Sequence, residues 1–257
     1  MLLAIDIGNT NIKIGVFEGD KLVHSFRLST VRMRTGDEYG LDILAQLNAK
    51  SISIKDIDGA IMSSVKPGLN YTFEHACDYY VGVKPLIVGS GIKTGLNVKY
   101  DNPRELGTDR IVNSVASYYT YGGPCITVDC GTATTFNVIS EKGEFLGGAI
   151  AHGLKSSAEA LADTAEKLPK IELVLPKKTI ARTTITNMQV GLIQGYIGMA
   201  ERIIRLMKEE SGYANAKVIA TGGLSEIIKN NSDVIDILDR TLTLRGLNVI
   251  YKLNTKG

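Results

Sequence analysis

The chain has 257 residues, of which 44% are apolar and 22% are charged, and its formal net charge is +2. Its length allows one large domain or two of medium size, each with its own core. The near-neutral charge gives no reason to expect a nucleic-acid or anionic-membrane partner. No apolar run approaches the roughly 20 residues needed to span a bilayer. The run from Met1 to Ile5 meets Asp6 without a basic leader, which indicates a strand and not a signal peptide.

Cysteine and histidine are both sparse in this chain. The three cysteines, Cys77, Cys125 and Cys130, form no CxxC pair and leave an odd number. Such a set argues against a disulfide framework and favours a reduced compartment. Three scattered histidines give no reason to expect a histidine-rich metal site. The sequence therefore predicts a cytoplasmic protein without a membrane segment.

A pattern of three strands occurs twice along the chain. Apolar or alternating stretches separated by turn residues predict these strands, at residues 2–7, 11–17 and 22–28 and again at residues 125–130, 135–139 and 145–150. Each time, an acid followed two positions later by a glycine lies between the first and the second strand. The repeated order indicates an internal duplication.

Helices and strands alternate after each group of three strands. Helical periodicity or helix-start residues predict helices at residues 37–50, 67–80, 108–121, 154–164, 186–210 and 246–253, and short apolar runs predict strands at residues 59–63, 86–88 and 218–220. Residues 169–184 read as a loop. The alternation predicts an α/β fold with mixed sheets. Because Gly122-Gly123-Pro124 breaks the chain, we expect two domains, residues 1–118 and 119–257.

The two acid–glycine turns are candidate phosphate-binding sites. Gly8 and Gly131 permit positive φ and close approach of a ligand to the backbone, and the Thr and Asn residues that follow add donors. A carboxylate beside phosphate is repulsive unless a cation lies between them, so Asp6 and Asp129 indicate a bound cation with oxygen ligands. Either turn alone reads equally well as an ordinary tight turn. Their pairing in a duplicated unit favours phosphate binding.

Two further motifs carry weaker signals when each is taken alone. Asp109 and Arg110 lie at a predicted helix start, where N–H groups and the dipole favour anions, but an acid there is more often a plain first-turn charge. The Thr221-Gly222-Gly223 turn follows a predicted strand and resembles the adenosine-binding motif of the actin-like sugar kinases. A Gly-Gly turn in that position is commonplace.

Taken in order, the motifs resemble those of type III pantothenate kinases, a branch of the actin-like sugar-kinase superfamily. Three signatures carry the likeness: Asp-x-Gly-Asn-Thr at Asp6, Gly-x-Asp-Arg at Gly107 and Asp-x-Gly-Thr-Ala-Thr-Thr at Asp129. The likeness continues through the segments 146–151, 165–169, 188–191 and 220–223, so it covers essentially the whole chain. One departure is His152, where such enzymes usually carry proline before Gly-Leu.

The resemblance implies two ribonuclease H-like domains, each a mixed sheet flanked by helices, with a cleft between them. It also implies transfer of the ATP γ-phosphoryl group to pantothenate, with Asp109 as the catalytic base. The residues implied to bind the ATP phosphates are Asp6, Ile7, Gly8, Asn9, Thr10, Asn11, Ile12, Lys13 and Thr132, and those implied to contact the adenosine are Thr221, Gly222 and Gly223. The residues implied to contact pantothenate are Tyr100, Gly107, Thr108, Asp109, Arg110 and Thr184.

The resemblance further implies two kinds of cation and an assembly of two subunits. Asp129 corresponds to the position that binds a monovalent cation, K⁺ or NH₄⁺, and Mg²⁺ would accompany ATP near Asp6. Thr184 would reach the substrate from the neighbouring subunit of a homodimer. Two alternatives remain open: a kinase or phosphohydrolase of the same superfamily that acts on another small molecule, and a non-catalytic transcription accessory factor related to the Bvg accessory factors.

Two smaller features keep two interpretations each. Gly191, Gly195 and Gly198 form one stripe of the predicted long helix, which suits close helix packing either inside a domain or across a dimer interface. Cys130 lies within the second phosphate turn, where oxidation would block ATP, although a small buried residue is the simpler interpretation.

Overall fold

The computed structural model describes residues 1–31 and 33–255, which fold into two compact units. The first unit comprises residues 1–96, residues 101–119 and the C-terminal segment from Thr241, and the second comprises residues 97–100 and 120–240. The expected domains, residues 1–118 and 119–257, stay a prediction. The compact units differ from that division because the C-terminal segment belongs with the first unit.

Eleven strands and seven α-helices make up the regular structure of the described residues. The strands are β1 Leu2–Ile7, β2 Asn11–Glu18, β3 Lys21–Ser29, β4 Gly59–Ser64, β5 Pro85–Ile87, β6 Asn97–Val98, β7 Cys125–Cys130, β8 Ala133–Ile139, β9 Glu144–His152, β10 Lys217–Thr221 and β11 Ile237–Leu238. The helices are α1 Gly36–Asn48, α2 Asn70–His75, α3 Thr108–Tyr121, α4 Leu154–Thr164, α5 Thr184–Ser211, α6 Ser225–Lys229 and α7 Leu242–Thr255. None of the helices in the described ranges is long and apolar enough to cross a membrane.

The first sheet has the strand order β3-β2-β1-β4-β5, with antiparallel pairs up to β1 and parallel pairs beyond it. Every residue of β1 is buried, because both faces of the strand are covered. Leu3, Ile5 and Ile7 pack into a cluster with α1 and α2, whereas Leu2 and Ala4 pack with α3 and α7. This double coverage explains why β1 is a continuous apolar run. The run is interrupted only by Asp6, close to its end.

The second sheet repeats this topology. Its order β9-β8-β7-β10-β11 corresponds strand for strand to the first sheet, with β6 added beyond β9. The pairs β7–β8 and β8–β9 are antiparallel, and the pairs β7–β10 and β10–β11 are parallel. Like β1, β7 is buried and carries one acid near its end, Asp129. The predicted α/β fold with duplicated three-strand groups and mixed sheets is therefore confirmed.

Some elements differ from the sequence prediction. The helix predicted from Pro67 to Tyr80 is composite: a 3₁₀ turn (Pro67–Leu69), the short α2 and a π-helical turn (Ala76–Val81) follow one another. The two-residue strands β6 and β11 were not predicted, because pairs this short leave no periodicity to read. Helix α7 begins four residues before its predicted start at Gly246. Single-sequence reasoning locates such boundaries only to within about 2–4 residues.

Candidate active site

The first predicted phosphate turn is a tight connection between β1 and β2. The N–H of Gly8 donates to the carbonyl of Asn11 at 3.1 Å, and a Cβ at position 8 would lie 2.8 Å from that carbonyl oxygen. Only glycine fits such an approach without displacement of the backbone. From the end of β3, Thr30 braces the turn: its N–H donates to Thr10 O at 3.0 Å and its hydroxyl donates to Gly8 O at 2.9 Å. The turn is therefore held by its own backbone, and Asn9, Thr10 and Asn11 remain exposed.

Two of the predicted ATP-contacting residues are core residues. Ile7 and Ile12 face each other across the β1–β2 pair, and both side chains are fully buried in the apolar cluster below the turn. Their side chains anchor the turn to the sheet, so only their backbone atoms remain as possible contacts for a ligand.

Asp6 is a buried carboxylate held from two sides. Strand register places it opposite Lys13 on β2 and opposite Ser63 on β4. Its Oδ1 accepts a hydrogen bond from the Ser63 hydroxyl at 3.0 Å, and its Oδ2 lies 3.6 Å from Lys13 Nζ. Ser63 was missed by sequence reasoning, because only the parallel pairing of β1 with β4 brings it beside Asp6.

Asp109 lies at the first turn of α3, and the helix start is fixed to the first sheet. The hydroxyl of Thr108 donates to Ser64 O, at the end of β4, at 3.1 Å. A Cβ at Gly107 would lie 2.6 Å from Asp109 Oδ1, so glycine at position 107 lets the carboxylate fold back over the chain. The next residue, Arg110, is buried despite its charge.

The electrostatic surroundings of Asp109 differ from those of a surface acid. Burial raises the pKa of the Asp109 carboxyl, and the negative charge of Asp6 raises it further, while the backbone N–H and the guanidinium of Arg110 oppose the shift. The structure thus brings Asp6, Lys13, Gly107, Thr108, Asp109 and Arg110 together in the first unit. A carboxylate with a raised pKa accepts a proton more readily than an ordinary one.

The second phosphate turn connects β7 and β8 and is anchored by the start of α4. The N–H of Gly131 donates to Ala133 O at 3.1 Å. The carbonyl of Thr132 accepts from Gly153 N–H at 3.2 Å and from the Ser156 hydroxyl at 2.8 Å. The Thr132 residue itself is exposed. This turn exposes Thr132, whereas Thr134 and Thr135, which follow it on β8, are buried.

Gly222 approaches two oxygen atoms, the carbonyl of Cys130 and the carboxylate of Asp129. Thr221 pairs with Asp129 across β7 and β10. The following residue, Gly222, has φ +94°, and a Cβ there would lie 2.6 Å from Cys130 O and 2.7 Å from Asp129 Oδ1. The hydroxyl of Thr221 is buried and makes no hydrogen bond within the described residues. A carboxylate, a carbonyl and an unsatisfied hydroxyl form a donor set that suits a cation with oxygen ligands.

A buried tyrosine makes a hydrogen bond to β8 directly after the second turn. The hydroxyls of Tyr196, on α5, and Thr134 lie 2.7 Å apart. Burial raises the pKa of the neighbouring Cys130 thiol to about 12, so the thiolate that oxidation requires is scarce at neutral pH. The interpretation of Cys130 as a small buried residue is thereby favoured. Nothing in the spacing of Tyr196 along the predicted helix indicates this hydrogen bond.

The remaining predicted substrate residues lie in the second unit. Tyr100 is half-buried, and its ring meets that of Phe145 edge to face at 6.1 Å between centroids. Thr184 is exposed at the first position of α5, directly after Thr183, which caps the helix.

The glycine stripe of α5 has no close neighbour within the described part of the chain. A Cβ at Gly191, Gly195 or Gly198 would meet no atom within 4 Å beyond its own helix. Close packing of these glycines against another element of residues 1–31 and 33–255 is therefore excluded. Two of them line a groove of about 210 Å³ together with His152 and Tyr196.

Comparison with known proteins identifies the family. The family model described as Type III pantothenate kinase matches residues 2–206. A protein of Geobacillus sp. (strain WCH70) named type III pantothenate kinase is 50% identical over 254 residues, which cover 99% of this chain and 98% of the relative.

Solved structures show the same fold at low sequence identity. A conserved Campylobacter jejuni protein assigned to the Baf family of transcriptional activators superimposes with a TM-score of 0.62 at 21% identity, over 99% of this chain and 100% of the other. A ROK hexokinase from Thermus thermophilus gives a TM-score of 0.54 at 10% identity, over 100% and 99% of the two chains. The duplicated ribonuclease H-like fold of the sugar kinases is thus confirmed, and the chain belongs to the type III pantothenate kinase family.

Proposed function

We propose that this protein is a kinase that transfers the γ-phosphoryl group of ATP to the primary hydroxyl of pantothenate, which yields 4′-phosphopantothenate in the first step of coenzyme A biosynthesis. The observation that carries the proposal is the buried carboxylate of Asp109, whose raised pKa is caused by burial and by Asp6 beside the first phosphate turn. Membership of a family whose relatives are named for this activity, at 50% identity over nearly the whole chain, supports it.

In this proposal Asp109 is the catalytic base. Phosphoryl transfer depends mostly on positioning and charge neutralisation, so the base needs only to accept the hydroxyl proton as the new P–O bond forms. Burial of Asp109 supports this role, because a desolvated carboxylate with a raised pKa gains more from protonation than an exposed one. Gly107, Thr108 and Arg110 hold the substrate beside it, with the arginine supplying paired donors.

The first turn binds the phosphates of ATP. The exposed Asn9, Thr10 and Asn11 and the backbone of residues 6–13 supply donors, and Lys13 supplies a positive charge. The buried carboxylate of Asp6 is a hard oxygen ligand of the kind that Mg²⁺ takes alongside substrate phosphates. Mg²⁺ held there would neutralise phosphate charge. Ser63 keeps the Asp6 carboxylate oriented.

The second unit contributes further ATP and cation contacts. Thr132 contacts the phosphates, and Thr221, Gly222 and Gly223 contact the adenosine. Asp129 holds a monovalent cation, K⁺ or NH₄⁺, and the neighbouring oxygen atoms described above fit that role. A bound monovalent cation would offset the charge of Asp129 near phosphate.

The protein acts as a cytoplasmic homodimer in this proposal. Tyr100 contacts pantothenate, and Thr184 reaches the substrate of the partner subunit. The exposure of Thr184 at the start of α5 and the open glycine stripe of the same helix support an interface on this face. The three cysteines are free and buried, which suits a reducing compartment.

One coupled assay of ADP release tests the proposal. We expect turnover that requires pantothenate and Mg²⁺ and that rises when K⁺ replaces Na⁺. Turnover of ATP without pantothenate would favour a phosphohydrolase. No turnover under any of these conditions would overturn the assignment as a kinase and favour the transcription accessory role.

A further inference from the structure

The C-terminal helix α7 begins beside Lys13 of the first phosphate turn. Lys13 Nζ donates to the hydroxyl of Thr243 at 3.5 Å and lies 3.6 Å from Asp6 Oδ2. Thr243 is 2% exposed and is the second residue of α7. Within residues 1–31 and 33–255, these two oxygen atoms are the hydrogen-bond and ion-pair partners of the Lys13 ammonium.

Thr243 is fixed by the packing of its helix. A Cβ at Gly246 would lie 2.1 Å from Val112 O, so α7 crosses α3 at close range. Leu244 and Leu247 pack in one cluster with Val112 of α3 and with Leu2 and Ala4 of β1. The position of Thr243 is therefore fixed by the packing of α7 against α3, the helix that carries Asp109. A lysine side chain, in contrast, has four rotatable carbons and loses much rotamer freedom when it is held in one geometry.

We propose that Thr243 is a positioning residue for Lys13 and, through it, for the triphosphate of ATP. The inference rests on the proposed function, namely that Lys13 binds phosphate and that the cation bound to ATP lies beside Asp6. Asp6 attracts the Lys13 ammonium more strongly than Thr243 does, because its carboxylate is charged. When that carboxylate also binds the cation that accompanies ATP, its ion pair with Lys13 becomes weaker. The neutral hydroxyl of Thr243 has no such competing ligand, so it keeps the ammonium in place when ATP binds.

Little in the amino-acid sequence indicates this contact. Lys13 and Thr243 lie 230 positions apart, and the family match ends at residue 206. A threonine in the first turn of a helix otherwise reads as an ordinary helix residue, and a merely structural role is the competing explanation.

Three variants and a double mutant separate the two explanations. Thr243→Val removes the hydroxyl at similar volume, and Thr243→Ser keeps it. Thr255→Val removes a hydroxyl at the far end of α7, whose acceptor among the described residues is Tyr251 O of the same helix. We expect Thr243→Val to raise the KM for ATP by about 2- to 10-fold, the loss of one hydrogen bond, with little change in kcat. Thr243→Ser is expected to restore the KM, and Thr255→Val to leave it unchanged.

The double mutant tests whether Thr243 acts through Lys13. In a Lys13→Met background, Thr243→Val should have no further effect on the KM for ATP. An unchanged KM in Thr243→Val, or the same increase in both backgrounds, would overturn the inference. If Thr243→Val does not fold, as judged by its thermal melt, Thr243→Ala takes its place in the same cycle.

Calorimetric binding of Mg²⁺-ATP keeps this test separate from that of the proposed function. A wild-type protein that binds Mg²⁺-ATP but does not phosphorylate pantothenate would refute the proposed substrate, and the weaker nucleotide binding of Thr243→Val would still be measurable. A wild-type protein with full kinase activity and a Thr243→Val variant of equal affinity would refute only the inference.

Discussion

Replacing Asp109 by asparagine tests the proposed catalytic base and the physical cause of its raised pKa together. The variant keeps the size of the side chain but cannot accept the hydroxyl proton. Loss of a general base costs on the order of 10²–10⁴ in turnover, so kcat with saturating ATP and pantothenate is expected to fall within that range. The matched control is Asp101→Asn, an exposed acid in the segment that precedes α3, which should keep wild-type turnover.

The same substitution has a predicted effect on stability. The pKa of Asp109 is raised in the folded protein by burial foremost and also by Asp6. A group with a raised pKa stabilises the fold below its unfolded pKa, and this contribution is lost as the pH rises through the folded value. At neutral pH the ionised Asp109 therefore costs stability, and Asp109→Asn removes that cost. We expect the variant to melt at the same or a higher temperature than the wild type at pH 7, with the difference shrinking on acidification.

Kinetics against pH complete this test. On the acidic side of the pH profile, kcat/KM should rise as the pH increases, because only the ionised base is active. The apparent pKa of this rise should lie above the ordinary aspartate value, because the pKa of Asp109 is raised. Two results would refute the reasoning: near wild-type turnover in Asp109→Asn, or a variant that loses its melting transition at pH 7. The second result would mean that the carboxylate is structural.

Three further predictions concern residues that support the two turns. Gly222→Ala should lower the free energy of unfolding by about 1–3 kcal/mol, because φ is +94° and the new Cβ would clash with the backbone. Urea unfolding measures this change. The control is Gly223→Ala, whose new Cβ would meet no atom within 4 Å. Ser63→Ala frees Asp6 and should weaken Mg²⁺-ATP binding roughly 10-fold; equal Kd values by calorimetry would contradict it. Tyr196→Phe loses a buried hydrogen bond and should cost about 1 kcal/mol in thermal unfolding; an unchanged melting temperature would count against that bond.

The sequence alone determined the two groups of three strands and the chemistry of their turns. The two groups of three strands were predictable because their apolar runs and turns are local features, and the same holds for α3 and α4, whose predicted bounds agree with the structure. The likeness of the motifs at Asp6, Gly107 and Asp129 to one family predicted the candidate site. Local periodicity and motif order can be read from the sequence without knowledge of the fold, because both depend only on neighbours along the chain.

Only the tertiary structure decided which residues support the predicted site. Ser63 reaches Asp6 through parallel strand pairing, Gly222 approaches Asp129 through the pairing of β10 with β7, and Thr243 reaches Lys13 because the chain returns to its first unit at residue 241. None of these contacts joins residues close in sequence. Contacts of this kind are fixed by strand register and helix packing, and a single sequence records neither.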